Sequence, residues 1–168
     1  MESARLLIRP MEDGDESAFV RGIAERGLRA AYGVPVDMEE DVSVQIFRHF
    51  RGLDRALSLV AKESGEMIGF LLDLAPELPE ETASSLPEKG RTLAYAVFPP
   101  YQRKGYMQEA LKTLVPELFQ TVEYIHCGHF EENEPSRNLL RKLGFREYTS
   151  HTAGKKLIVD EILFPGQG

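Results

Sequence analysis

A turn between a strand and a helix near residue 104 has the composition of a phosphate-binding loop. It reads YQRKGYMQ, and the amphipathic helix that follows begins at about Lys104 or Gly105. The first amides of a helix have no partner inside the helix and carry partial positive charge. Gly105 would let the backbone approach a phosphate closely, and Arg103 and Lys104 would add positive charge. The spacing is not that of a Walker A loop. On these residues alone, an ordinary exposed helix start remains the alternative.

A second segment, NEPSRNLLRKLGF, predicts a short helix with polar residues at its start. Asn133 is suited to cap this helix, which would place Ser136 in its first turn. Gly144 would end the helix, and Phe145 would follow as a buried anchor. Taken singly, each of these residues therefore has a purely structural explanation.

Hydrophobic periodicity predicts the elements that must position these two segments. Strands are expected near residues 6–8, 56–62, 67–74, 92–98 and 122–130, and two more after Phe145 that join near Ala153-Gly154. Helices are expected from Asp15 to Leu28, from about Val42 to Leu53, from Lys104 to Phe119 and from Pro135 to Leu143.

Turns and prolines divide these elements. Residues 63–66 predict a hairpin turn, and the segment 75–90, rich in proline and glutamate, predicts an exposed excursion. The link between the first two helices holds Gly33 and Pro35 and predicts a loop. Pro116 removes a hydrogen bond from its helix, so a kink or an early end is expected there.

The resulting order predicts an α/β fold with a mixed, mostly antiparallel central sheet and helices on both faces. The strand–helix–strand piece from 92 to 130 should form a right-handed crossover. The sequence shows no internal repeat and no low-complexity linker, so a single domain over residues 1–168 is expected.

Composition excludes several classes of protein. The formal net charge of −7 argues against a protein whose main role is to grip nucleic-acid phosphates. The single cysteine, Cys127, rules out an internal disulfide framework and fits a reducing compartment. No apolar run reaches the ~18 residues of a membrane helix, and no secretory signal is recognisable. We therefore expect a cytoplasmic protein with no nucleic-acid or membrane partner.

Together, the two segments resemble the GNAT superfamily of acyl-CoA-dependent N-acyltransferases, most closely the branch with ribosomal-protein and small-molecule acetyltransferases. The family's Q/R-x-x-G-x-G/A loop corresponds to residues 102–107, where Met107 replaces the second small residue. Its N-x-x-S/A…L-x-K-L-G-F helix corresponds to residues 133–145, and the expected strand order also agrees.

This resemblance implies acetyl-CoA as co-substrate and an amine as acceptor. Backbone groups of Tyr95, Ala96 and Val97 would bind the pantetheine arm, and Asn133 would contact the cofactor. The pyrophosphate would lie on the loop and helix start, which comprises Gln102, Arg103, Lys104, Gly105, Tyr106, Met107 and Gln108. The family also makes a monomer or homodimer the expected assembly.

The groups that move protons are less clearly marked. Leu140 occupies the position of an acid tyrosine found in many relatives, and Gly128 that of a carboxylate found in some. The candidate catalytic residues are therefore Ser136, as a donor to the sulfur, and Tyr95 and His129, as proton carriers.

Other histidine and cysteine chemistry is weaker. His126 is a further proton carrier, but it should lie on the face of its strand opposite to His129. Cys127 between them is better explained as a core thiol than as a nucleophile. The histidine spacings match no compact zinc pattern, so no metal is expected.

The acceptor is indicated only by charge. Asp37, Glu39, Glu40 and Asp41 would attract a cationic amine, although a solvated acidic helix start is the favoured explanation. The expected function is acetyl transfer to a primary amine of a small molecule or a protein N-terminus. A catalytically weak or silent CoA-binding module is the alternative, and an interaction domain that uses segment 75–90 is a third.

Overall fold

The computed structural model describes residues 1–31, 35, 37 and 39–167 and forms a seven-stranded sheet in the order β1-β2-β3-β4-β5-β7-β6. The strands are β1 Leu6–Pro10, β2 Ala56–Ala61, β3 Met67–Leu74, β4 Gly90–Val97, β5 Tyr124–Phe130, β6 Arg146–Ala153 and β7 Lys156–Leu163. The pairs β1–β2, β2–β3, β5–β7 and β6–β7 are antiparallel, whereas β4 and β5 run parallel. The predicted mixed, mostly antiparallel sheet is confirmed.

The described residues also form six α-helices. They are α1 Glu16–Ile23, α2 Arg26–Ala31, α3 Glu40–Arg51, α4 Glu80–Ala83, α5 Tyr106–Leu118 and α6 Glu134–Lys142. Two short 3-10 turns precede α1 and α5, at Asp13–Asp15 and Pro99–Tyr101.

The chain forms two compact units. The first contains Met1–Asp73 and Tyr95–Thr113, and the second contains Leu74–Ala94 and Leu114–Gly168. The single-domain expectation for residues 1–168 stays a prediction.

A cluster of phenylalanine rings fills the core of the first unit. The ring of Phe19 on α1 lies 5.4 Å from that of Phe47 on α3 and 5.5 Å from that of Phe70 on β3, measured between centroids. Phe50 and Phe98 extend the cluster at 5.6 and 6.5 Å. Edge-on and tilted rings at these spacings add to the free energy gained by burying their apolar area.

A buried carboxylate joins the start of α1 to the first two strands. Asp15 accepts two hydrogen bonds from Arg9, at 2.8 and 2.9 Å, and one from the hydroxyl of Ser58, at 2.7 Å. Burial alone would raise the pKa of Asp15, but these bonds and one from the Glu12 amide outweigh it and lower the pKa. Asp15 is therefore ionised where β1, β2 and α1 meet.

Close backbone approach between β3 and β4 depends on Gly69. A Cβ atom at this position would overlap the carbonyl oxygen of Ala96, and the Phe98 amide next to it donates to the Ile68 carbonyl at 2.8 Å. The glycine thus lets the end of β4 lie against β3, which sets the backbone position from which the loop departs.

The first predicted helix is interrupted, which corrects the expected continuous span from Asp15 to Leu28. α1 ends at Ile23, and α2 begins at Arg26. At this break the Ile23 carbonyl accepts from Nε of the buried Arg29 at 2.6 Å. Ala24 is exposed at this break.

The other helix and turn predictions have mixed outcomes. The helix containing Pro116 continues to Leu118, so the proline does not end it early. The hairpin between β2 and β3 is confirmed, and segment 75–90 holds the unpredicted short helix α4. The predicted loop around Gly33 lies partly outside the described residues.

The second unit contains the capped helix that the sequence predicts. The side chain of Asn133 caps α6 by accepting from the Ser136 amide at 3.3 Å. At the other end, the amides of Gly144 and Phe145 donate to the carbonyls of Arg141 and Leu140, and Phe145 is fully buried. The predicted N-cap, helix end and buried anchor are all confirmed.

Candidate active site

The loop between β4 and α5 exposes a run of backbone immediately before a helix start. Residues 102–105 are exposed, and α5 begins at Tyr106. Arg103 and Gly105 both adopt positive φ, at 60° and 78°. Positive φ turns the chain sharply, and glycine, the residue at position 105, adopts it at no steric cost because it has no Cβ. The sequence-predicted phosphate loop is therefore a tight, glycine-dependent turn with its amides near the positive end of α5.

Arg5 on the N-terminal side of β1 holds this loop in place. Its Nη1 donates to the Lys104 carbonyl at 2.9 Å, and its guanidinium lies 4.3 Å from the centre of the Tyr106 ring. Its Nε donates to the Glu109 carboxylate at 2.7 Å, and its backbone amide donates to the same group. These contacts join both sides of the turn, so the loop is fixed from outside its own sequence.

Glu109 in the first turn of α5 is ionised by these same contacts. Partial burial raises its pKa, but hydrogen bonds from Ser3 and Arg5 outweigh burial and lower the pKa. Sequence inspection did not identify the Arg5–Glu109 pair, because the two residues lie 104 positions apart and neither belongs to a recognisable motif.

The end of β4 places the three predicted backbone groups in different surroundings. Tyr95 and Ala96 are buried, and the Ala96 carbonyl faces Gly69. The Val97 carbonyl accepts from the side chain of Gln102 at 2.9 Å. This bond folds Gln102 back onto the strand, so its side chain braces the loop.

The remaining predicted loop residues divide by burial. Met107 packs into the core, while Tyr106 and Gln108 are half-buried. Arg103 and Lys104 are exposed, so their charges face solvent beside the turn.

In the second unit, the two β5 histidines lie on opposite faces, as the strand parity predicts. His129 is buried, with Nε2 3.1 Å from Glu161 and Nδ1 2.8 Å from the Phe130 carbonyl. Glu161 Oε2 has no hydrogen-bond partner among the described residues. The predicted proton carrier His129 therefore has both ring nitrogens occupied inside the protein.

Cys127 shares the buried environment of β5. Burial raises the pKa of its thiol far above the ordinary value. A thiol held in its neutral form is a poor nucleophile, so the expected core role fits the structure.

A row of polar side chains crosses the opposite face of the second unit through four neighbouring strands. Thr92 Oγ1 on β4 lies 2.9 Å from His126 Nδ1 on β5, and His126 Nε2 lies 2.8 Å from Asp160 Oδ1 on β7. The other oxygen of Asp160 lies 2.7 Å from His151 Nδ1 on β6. Thr92 also accepts from the Glu77 amide at 2.9 Å. Of this row, only His126 was considered as a candidate from the sequence.

Within the described part of the chain, no group of three or more His, Cys, Asp and Glu side chains is placed to hold a metal ion. In the same residues, no helix combines the length and the apolar character that crossing a bilayer requires.

Comparison with known proteins identifies the fold and the family. The family model described as acetyltransferase (GNAT) domain matches residues 5–146. A search of curated proteins gave no significant sequence match.

Solved structures share the fold along nearly the whole chain. An acetyltransferase (GNAT family) from Bacillus anthracis superposes with a TM-score of 0.81 at 18% identity, covering 98% of this chain and 97% of that one. Spermidine N-acetyltransferase from Vibrio cholerae, in complex with CoA and spermine, gives 0.76 at 13% identity, covering 98% of both chains. The ribosomal-protein-S5-alanine acetyltransferase from Vibrio fischeri gives 0.71 at 16% identity, covering 100% of this chain and 98% of that one.

These similarities agree with the fold described above. Because the family model spans well over half of the sequence, the chain belongs to the GNAT acetyltransferase family.

Proposed function

We propose that this protein transfers the acetyl group of acetyl-CoA to a primary amine, on a small molecule or a protein N-terminus, by direct attack of the amine on the thioester. The observation that carries the proposal is the exposed turn at Gly105, which opens helix α5 and is clamped by Arg5. Membership of an acetyltransferase family supports acetyl-CoA as the ligand of that turn.

The loop fits the diphosphate of CoA by its shape and its charge. The amides from Arg103 to Gln108 lie at the turn and first helical residues, where backbone donors and the helix dipole favour an anion. A side chain at position 105 would be strained at this positive φ, and its Cβ would stand 3.5 Å from Arg5 Nη2. Glycine therefore lets a phosphate come close to the backbone at this turn. The exposed side chains of Arg103 and Lys104 add cationic charge.

The other predicted contacts stay proposals. Backbone groups of Tyr95, Ala96 and Val97 would orient the pantetheine arm, and the Val97 carbonyl, which accepts from the side chain of Gln102, keeps a second lone pair. The predicted cofactor contact of Asn133 and the predicted role of Ser136 at the sulfur also stay predictions, beside the capping role that the structure shows for Asn133.

Binding of both reactants supplies much of the rate in such a reaction. Holding an amine against a bound thioester can lower the barrier by roughly 7–11 kcal/mol. A positioned proton acceptor adds about 10²–10⁴-fold. The chain therefore has to align the two reactants and remove a proton from the acceptor, with no covalent enzyme intermediate.

An amine is the acceptor class we propose because two structural neighbours bear amine acceptors in their names. One is a spermidine N-acetyltransferase, and the other is an acetyltransferase of the alanine of a ribosomal protein. The acidic net charge of −7 also favours a cationic acceptor over an anionic one.

The test is acetyl-CoA turnover on a panel of amines. Purified protein is incubated with acetyl-CoA and, in separate reactions, spermidine, an N-terminal alanyl peptide and simple primary amines, while free CoA thiol is measured. Amine-dependent thiol release is expected. Stabilisation by acetyl-CoA with no release above the amine-free rate would contradict the proposal and indicate a silent CoA-binding module.

We also propose the cytoplasm as the compartment, and a monomer or homodimer as the assembly. A reducing compartment suits a chain whose one cysteine is a buried thiol. Light scattering of the purified protein would decide the assembly.

A further inference from the structure

The guanidinium of Arg5 keeps one nitrogen unused beside the loop at Gly105. Its Nε donates to Glu109 at 2.7 Å and its Nη1 donates to the Lys104 carbonyl at 2.9 Å, whereas its Nη2 makes no hydrogen bond to any residue that the structure describes. The side chain is 44% exposed. A Cβ on residue 105 would stand 3.5 Å from this Nη2. The unused donor therefore lies next to the space that glycine leaves open at the turn.

The surrounding contacts hold this nitrogen in one position. The guanidinium lies 4.3 Å from the centre of the Tyr106 ring, in addition to its two hydrogen bonds. Glu109 is itself held, because it also accepts from the Ser3 hydroxyl and from the Arg5 backbone amide. A guanidinium is planar, so fixing its Nε and Nη1 also fixes the direction of Nη2. The donor is thus oriented before any ligand arrives.

Arg5 and the loop belong to the same part of the fold. The first compact unit contains both Met1–Asp73 and Tyr95–Thr113, so it includes Arg5 and every residue that Arg5 contacts. The position of Nη2 beside Gly105 is therefore set by packing within one unit.

Arg51 at the end of α3 makes the same kinds of contact but spends all three of its nitrogens inside the protein. Its Nη1 donates to the Met11 carbonyl at 2.7 Å, and its Nε donates to Asp13 at 3.1 Å. Its Nη2 also donates to Asp13, at 2.7 Å. The Arg51 side chain is 36% exposed, which is close to the value for Arg5. The two arginines thus differ mainly in whether Nη2 is available to a group from solution.

An anionic oxygen is the partner that suits this nitrogen. Glu109 balances the charge of Arg5, so Nη2 contributes a directed donor more than a net attraction. The exposed side chains of Arg103 and Lys104 and the first amides of α5 favour an anion at the same turn. Phosphate oxygens accept strong, charge-assisted hydrogen bonds from arginine.

We propose that Arg5 binds the diphosphate of acetyl-CoA directly through Nη2, while its Nε and Nη1 hold the loop. The inference rests on the proposed function, which makes acetyl-CoA the ligand of this turn. It adds to the phosphate site a residue that lies 99 positions before Lys104. Arg5 can bind the phosphate without losing any contact that it makes in the free protein.

The first experiment compares Arg5→Gln with the matched control Arg51→Gln. Calorimetry measures the Kd of acetyl-CoA, and thiol release measures kcat/KM with S-acetylpantetheine, which carries the thioester but no diphosphate. Arg5→Gln should raise the Kd of acetyl-CoA by about 10–100-fold, the effect of losing a hydrogen bond between charged groups. It should leave kcat/KM with S-acetylpantetheine unchanged. Arg51→Gln should leave both quantities unchanged.

A second experiment distinguishes a phosphate ligand from a residue that only holds the loop. The wild-type protein is labelled with ¹⁵N in its arginine side chains, and the Arg5 signals are assigned through bonds from its backbone. A phosphate on Nη2 slows both the rotation of this group and the exchange of its protons with water. The Nη2 signals of Arg5 should therefore sharpen on addition of CoA but not of pantetheine, and those of Arg51 should not change.

This measurement uses wild type and does not depend on the folding of a variant. Arg5 Nη2 signals that are unchanged at saturating CoA would overturn the inference, even if Arg5→Gln weakens binding, because Arg5 would then only brace the loop.

The outcomes separate this inference from the proposed function. Amine-dependent turnover by wild type, with an unchanged Kd for acetyl-CoA in Arg5→Gln, would overturn the phosphate contact alone. Binding of CoA through Arg5 with no turnover on any amine would overturn the acetyl transfer alone. An absence of CoA binding by wild type would overturn both.

Discussion

At the scale of single residues, the buried carboxylate of Asp15 is the clearest electrostatic contribution to stability. It accepts four hydrogen bonds, from the side chains of Arg9 and Ser58 and the amide of Glu12, where β1, β2 and α1 meet. Hydrogen bonds to charged groups contribute about 1.5–3 kcal/mol each when a partner is lost from a buried site.

Asp15→Asn should therefore lower the free energy of unfolding by about 2–3 kcal/mol, because Arg9 loses its ionised partner. Asp13→Asn is the matched control. It also removes a carboxylate paired with an arginine, but Asp13 is almost fully exposed, so it should cost less than about 1 kcal/mol. Urea unfolding at neutral pH measures the loss of stability in both variants. Equal losses in the two variants would contradict the role assigned to Asp15.

The advantage of wild type over Asp15→Asn should disappear in acid. The pKa of Asp15 is lowered in the folded protein, so its contribution is fully present above the unfolded value near 3.9. It is lost as the pH falls through the lowered folded pKa. The difference in free energy of unfolding between wild type and Asp15→Asn, measured from pH 7 to pH 2, should close below about pH 4. A gap that widens on acidification would contradict the assignment.

At the scale of elements, Gly69 controls how β3 and β4 meet. Gly69→Ala should lower the free energy of unfolding by about 1–3 kcal/mol, since the new Cβ would overlap the Ala96 carbonyl and the strands would have to separate. Gly14→Ala, where a Cβ meets nothing within 4 Å, is the control and should be nearly neutral. Thermal unfolding compares the two, and a neutral Gly69→Ala would show that the strands tolerate separation.

The elements also show what a sequence pattern can and cannot predict. Local signals predicted all seven strands and the capped helix α6, because alternation, caps and turn glycines act over a few neighbouring residues. The break between α1 and α2 was missed; at that break the buried side chain of Arg29 bonds to the Ile23 carbonyl. That contact belongs to tertiary packing and leaves no periodic trace.

The candidate site was likewise only partly predictable from the sequence. The loop at Gly105 was predictable because its glycine and basic residues are contiguous. Arg5 and the row from Thr92 to His151 were not, because Arg5 lies about a hundred positions from the loop and the members of the row come from four different strands. For His151 and Asp160, the pairing of β6 with β7 determines which side chains share a face, and that register needs the structure.

At the scale of the whole molecule, acetyl-CoA should stabilise the native chain through the loop. Ligand at about 100-fold above its Kd adds about 2.7 kcal/mol to the free energy of unfolding. For a chain of this size, each kcal/mol raises Tm by about 2–4 °C. Gly105→Glu should abolish this gain, because bulk and negative charge would meet the phosphates at a strained φ.

The control for that variant is Gly65→Glu. Gly65 also has positive φ, at 72°, but lies in the β2–β3 hairpin with nothing near its Cβ position. It should lose some stability and keep the full gain from acetyl-CoA. A thermal shift with and without acetyl-CoA measures both variants, and a full gain in Gly105→Glu would place the cofactor elsewhere.

The most direct measurement is the chemical identity of the product. Protein, acetyl-CoA and the best amine of the panel are incubated, and product and free CoA thiol are quantified together by mass spectrometry. We expect one acetylated amine for each thiol released, with the acetyl group on nitrogen and stable to hydroxylamine. Thiol release without acetylated amine, or a hydroxylamine-labile ester on oxygen, would contradict N-acetyl transfer.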